Sequence, residues 1–128
     1  MTEYDEILQW LRKRHDSIMA HESNALVLLQ KNDVDGYRAE MLEKAKLLES
    51  MSSDAKNVLT KVPGGLRFKL GMALEKFSAS ARMSIKLNSC FYMSALLYRD
   101  DHKHGEPDNL ARFIDKFALK GENFDNEL

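Results

Sequence analysis

The chain has 128 residues, with 19 Lys+Arg against 20 Asp+Glu, four His, 44% apolar residues and a formal net charge of -1. That mixture fits one ordinary globular domain and excludes both a disordered tail and a wholly basic nucleic-acid binder. Cys90 is the one cysteine, so no disulfide can form inside the chain, and a reducing, cytoplasmic setting is expected. Glu3, Asp5 and Glu6 precede the first basic residue, against a secretory or mitochondrial leader. The longest apolar run, 25–29, is far shorter than the roughly 20 residues that span a bilayer.

Thr2 can cap a first helix over 2–31, whose apolar residues Tyr4, Ile7, Leu8, Leu11, Ile18, Met19, Ala25, Leu26 and Leu29 recur at three and four residues. Lys31 and Asn32 leave room only for an antiparallel neighbour, and Asp33 caps a second helix over 33–61. Its stripe is Val34, Tyr37, Met41, Ala45, Leu48, Ala55 and Leu59, and Pro63, Gly64 and Gly65 stop it. A third helix is expected over 66–99, free of proline and about 50 Å long. After a polar loop, Pro107 and Asp108 start a short helix over 108–120 with Leu110, Phe113, Ile114 and Phe117 on one side. Gly121 ends it, and 121–128 should fray. The sequence therefore predicts an all-α bundle of three long antiparallel helices and a short fourth.

Two ionisable residues, His15 and Glu22, fall in the middle of the first helix's apolar face. Groups in such places need partners or shift toward their neutral forms. A di-iron bundle would need Glu-x-x-His pairs, and none occurs. The facing seams, Met41, Ala45, Leu48 and Ser52 on one helix and Phe77, Ala81, Ser84 and Asn88 on the next, carry no strong metal ligand. A buried polar layer of His15, Glu22, Lys44 and Asn88, fixing the register of the bundle, is the expected outcome, with no metal and no cofactor. Small-ligand or metal binding through His15 and Glu22 is the alternative.

Other features carry less chemistry. Cys90 reads as a buried, inert thiol on a helix interior, and Trp10 as an edge residue able to stack on Arg14. His102 and His104 stand in a loop that reads as solvated, and no phosphate-binding glycine motif is present. Segment 63–99 holds six basic residues against Glu75, a net of +5, and 100–128 holds four basic against eight acidic, a net of -4. Docking of the acidic segment on the basic helix within one molecule accounts for this split, with an anionic partner as a further alternative. The basic residues do not share one helix face, so nucleic acid is not expected as the partner.

The third helix carries two stripes. Leu66, Leu70, Ala73, Leu74, Phe77, Ala81, Ile85, Asn88 and Phe91 suit the bundle core, and Phe68, Met72, Ala79, Met83, Cys90, Met93 and Leu97 lie nearly opposite. A short fourth helix can shield only part of the second stripe. Phe68, Met72, Met83, Met93 and Leu97 are therefore expected to meet a second copy of the chain or another helical protein. No acid, base and stabilising group assemble in one place, so the expected function is non-enzymatic: a helical-bundle interaction module of the adaptor or chaperone-like kind.

Overall fold

In the computed structural model, which describes residues 2–121, Thr2 opens α1 (Glu3–Gln30) with a capping box. Its hydroxyl accepts the Asp5 backbone N–H at 3.2 Å, and the Asp5 carboxylate accepts the Thr2 N–H at 3.2 Å. The helix stops at Asn32, whose φ of 62° lies in the left-handed region. There the Asn32 N–H bonds the Leu29 carbonyl at 3.0 Å and the Asp33 N–H the Leu28 carbonyl at 2.9 Å, the two bonds of a Schellman motif. Asp33 then caps α2 (Val34–Glu49) by accepting the Gly36 N–H at 2.9 Å. A Cβ on residue 36 would lie 2.6 Å from Asp33 Oδ2, so this tight cap requires glycine.

The second helix does not run unbroken over 33–61: α2 gives way to two single turns, α3 (Met51–Asp54) and α4 (Lys56–Leu59). The cause is a side chain set into the helix ladder. Buried Ser78 accepts the Ser52 N–H at 3.1 Å and donates to the Leu48 carbonyl at 2.9 Å, so its hydroxyl stands between two groups that would bond directly in a regular α-helix. Arg14 adds a second outside partner, donating to the Leu47 carbonyl at 2.8 Å, to Ser50 Oγ at 3.3 Å and to Asp54 at 2.8 Å. Its guanidinium also lies 5.0 Å from the centre of the Trp10 ring.

The expected continuous third helix over 66–99 is corrected by the structure. α5 (Gly64–Lys86) ends at Asn88, which has φ 50°. The Asn88 N–H bonds the Ile85 carbonyl at 2.9 Å and the Ser89 N–H bonds the Ser84 carbonyl at 3.1 Å, repeating the arrangement at Asn32. Ser89 then caps the short α6 (Cys90–Ala95), accepting the Tyr92 N–H at 3.1 Å. Past the break, inside and outside exchange. Met93 and Leu97, expected at an exposed interface, are 3% and 7% exposed, whereas Phe91, expected in the core, is 75% exposed. Cys90 opens α6 and is half-buried, so it is neither fully buried nor on a helix interior. Leu97 takes a left-handed φ of 76°, held by its burial and by the Asn109 N–H on its carbonyl at 2.8 Å.

Asp108 caps α7 (Asn109–Lys120), accepting the Ala111 N–H at 2.9 Å. α1 packs along α2, α2 along α5, and α7 lies on α1. The buried face of α7 closes the core: Phe113 meets Phe77 edge-on at 6.0 Å between ring centres, and Phe117 meets Tyr4 at 6.2 Å. A smaller apolar cluster of Ala25, Met41, Ala45 and Met93 fills the end of the bundle near the α1–α2 turn. The fold is all-α, with no strand among the described residues. No helix among them is long and apolar enough to cross a membrane. Of the end expected to fray, 122–128 lies outside the described residues.

The exchange of faces is open to a direct test by denaturant unfolding. Met93→Ala should cost about 2–4 kcal/mol, the range for truncating a buried side chain, and Phe91→Ala less than about 1 kcal/mol. A helix continuous through residue 88 would give the reverse order.

Candidate functional site

Among the described residues Lys44 is the most completely buried charged side chain, with 0% exposure, and α2 aims it across the bundle at α1. Its ammonium donates to Glu22 Oε1 at 2.8 Å and to the Ser94 carbonyl at 3.3 Å, and it sits 5.1 Å from the centre of the Tyr98 ring. Tyr98 donates its hydroxyl to the other Glu22 oxygen. Burial pushes the Lys44 amine below its ordinary value, and the bond to Glu22 offsets only part of this. Burial, followed by the Glu22 bond, raises the Tyr98 phenol well above its usual range. The result is a charged pair whose hydrogen-bonding groups are matched, the condition under which a buried ion pair is tolerated.

His15 and Asn88 do not join this cluster as expected. His15 instead pairs with Asp108, Nε2 to Oδ2 at 2.7 Å, so one carboxylate both caps α7 and holds α1. The hydrogen bond to Asp108 raises the His15 pKa above 6.5 against the opposing effect of burial. Burial acts to raise the Asp108 pKa, but the His15 bond and the Ala111 N–H together hold it below its ordinary value. Asn88 is exposed at the helix break, because its left-handed backbone ends α5 before its side chain can turn inward. Ser84, facing the same seam, donates to the Ala81 carbonyl at 2.7 Å.

The loop expected to be solvated contributes to the site. His102 packs edge-on against Tyr98 at 4.8 Å between ring centres, and its Nε2 bonds the Glu106 carbonyl at 2.9 Å. His15, Glu22, Tyr98, His102, His104 and Asp108 all line one open cleft of about 700 Å³, whose apolar lining includes Met19, Leu26, Tyr37 and Met41. Among the described residues, no three His, Cys, Asp or Glu side chains converge as a metal ion requires. Tyr98 and Ser94 were not legible as partners of Lys44, because a straight third helix carries them elsewhere. The Asn-Ser pair at 88–89 was the available signal, since Asn-Asp at 32–33 makes the same turn.

The described ion pairs of the acidic segment run from Asp108 to His15, from Asp101 to Arg99 of the basic segment at 3.4 Å and from Glu106 to Arg112 at 3.8 Å. On α5 the second stripe keeps its exposure as far as the break: Phe68, Met72 and Met83 are 69%, 46% and 54% exposed.

Two outcomes test these contacts. Glu22→Leu should cost about 3 kcal/mol by leaving Lys44 charged and unmatched, and adding Lys44→Leu should recover much of it. Additive unfolding free energies would show that the two groups do not interact. The His15–Asp108 pair should leave a pH signature. With the His15 pKa raised, its stabilisation is complete below the unfolded value of 6.5 and lost as pH rises through the folded value. With the Asp108 pKa lowered, its share is present above 3.8 and lost as pH falls through its folded value. His15→Ala should therefore destabilise more at about pH 5.5 than at about pH 8.5 in thermal unfolding.

No protein-family model, no curated protein and no solved structure matches the chain, which leaves the chemistry of its two surfaces to be read from the residues that form them.

Proposed function

We propose that the protein is a non-enzymatic helical-bundle interaction module that binds an acidic amphipathic helix of a partner protein on the outer face of α5. The observation that carries this reading is the exposure of Phe68, Met72 and Met83. With Ala79 they lie within about 60° of one another around the helix, nearly opposite its buried face. α7, the one element expected to shield part of this strip, lies on α1 instead. Methionine side chains adapt to irregular partners, and the small Ala79 lets another helix approach.

Charge selects the occupant. Exposed Lys76 borders the strip, exposed Lys86 continues its line toward the helix end, and Arg82 is held by Glu75 on the same helix at 3.0 Å, which leaves the surroundings net positive. A second copy pairing face to face would set these positive charges against each other, and a helix with Glu or Asp beside its apolar residues would answer them. The same preference makes nucleic acid a poor fit, since the strip itself is apolar. A cytoplasmic location belongs to this reading and rests on the lone Cys90.

Sedimentation and fluorescence anisotropy test it, with two labelled amphipathic peptides that share a leucine face and carry either glutamate or lysine flanks. The glutamate peptide should bind a monomeric protein. Met72→Glu with Met83→Glu, both at exposed positions, should leave the fold intact and weaken that binding by at least about tenfold. A dimer abolished by the same pair of changes would make a second copy the occupant and overturn the acidic-helix assignment. Equal binding of both peptides would overturn charge selection, and a monomer that binds neither would overturn the whole reading.

A further inference from the structure

The cleft beside Lys44 has features that the α5 surface does not share. Its volume, about 700 Å³, falls within the span of small-molecule sites, which runs from about 300 to 1,000 Å³. Its lining includes two thioethers and an aromatic ring, from Met19, Met41 and Tyr37. The lining also presents Glu22, Glu106 and Asp108, and no Lys or Arg is among its described residues, in a chain that has 19 of them.

We infer that this cleft is a binding site for a small organic cation, a protonated amine carried on an apolar or aromatic body.

Hydrogen-bond capacity gives the sign of the ligand. A carboxylate and a peptide carbonyl can only accept, so His15 and His102 must donate through Nε2 to Asp108 and to the Glu106 carbonyl. In their neutral forms the remaining nitrogen of each ring is then an acceptor. The oxygens of Glu22 each have one bond from the protein and can accept another, while Asp108 already takes bonds from His15 and from the backbone of Ala111 and Leu110. The Lys44 ammonium is fully buried and directs protons at Glu22 and Ser94. Glu22 and the two imidazoles thus leave acceptors open in the cleft, which a ligand rich in N–H donors would use.

Electrostatics agrees with that count. Lys44 neutralises Glu22 and Arg112 reaches Glu106 only at 3.8 Å, while His15 offsets Asp108 only when protonated. With His15 neutral the cleft carries net negative character, which repels an organic anion. An ammonium on an aromatic body also matches the apolar lining, where Tyr37 presents a ring and the methionines present polarisable sulfur.

The histidine ring protons report occupancy by NMR, with phenethylamine as the cationic probe and phenylacetate as its anionic counterpart, at about pH 8. Saturable shifts of His15, His102 and His104 are expected with phenethylamine only. His21, which bonds Glu40 at 2.6 Å and does not line the cleft, should stay unmoved. Leu26→Lys, at an exposed position on the cleft wall, should raise the Kd for phenethylamine by at least about tenfold. Absent shifts, equal shifts with both probes, or no effect of Leu26→Lys would overturn the assignment. None of these outcomes bears on peptide binding at α5, so the two readings fail separately.

Discussion

The left-handed turn at Asn88 is the constraint on which the site depends. Had α5 continued, Ser94 and Tyr98 would have travelled further along the same rod, away from the middle of the bundle. The two bonds that close the turn, from Asn88 and Ser89 back to Ile85 and Ser84, instead send the chain across the end of the bundle. Met93 then drops into the small apolar cluster with Ala25, Met41 and Ala45. Tyr98 is brought onto Glu22 and beside Lys44. One asparagine able to adopt a positive φ thus sets both a part of the core and the polar lining of the cleft.

Polar side chains inside the bundle act by satisfying the backbone of neighbouring elements as well as each other. Ser78 on α5 takes both ends of a missing α-helical bond between Leu48 and Ser52, and Arg14 on α1 holds the Leu47 carbonyl. Lys44 reaches the Ser94 carbonyl close to the end of α6. Each of these contacts fixes the axial position of one element against another, which a purely apolar seam does weakly because neighbouring registers bury similar area. Asp108 extends the pattern, capping α7 with one oxygen and holding His15 of α1 with the other.

The two surfaces that stand out differ in the physics that would recognise a ligand. The α5 strip is convex and apolar in net positive surroundings, suited to burying area against another helix. The cleft is concave and rich in acceptors, suited to a small molecule that must exchange its hydration for directed hydrogen bonds. The break at Asn88 limits the first by turning Met93 and Leu97 inward, and it forms part of the second.

The sequence by itself determined the all-α class, the caps at Thr2, Asp33 and Asp108, the core stripe of α5 and the apolar face of α7. These follow from local periodicity and from side chains bonding the backbone three residues away. Lys44 as the partner of Glu22 was also legible, since counting back from one tight antiparallel turn preserves axial level. Tertiary structure decided what lies beyond a change of direction. The splitting of the second helix required Ser78, 26 residues from Ser52, and the pairing of His15 with Asp108 spans 93 residues. The third helix failed as a rod because helical periodicity continues through the apolar residues on both sides of Asn88, so the apolar pattern gives no sign of the turn, which only the Asn-Ser pair at 88–89 marks. Once the turn forms, each residue after it is rotated out of the phase that periodicity assumes, and Phe91 and Met93 exchange places.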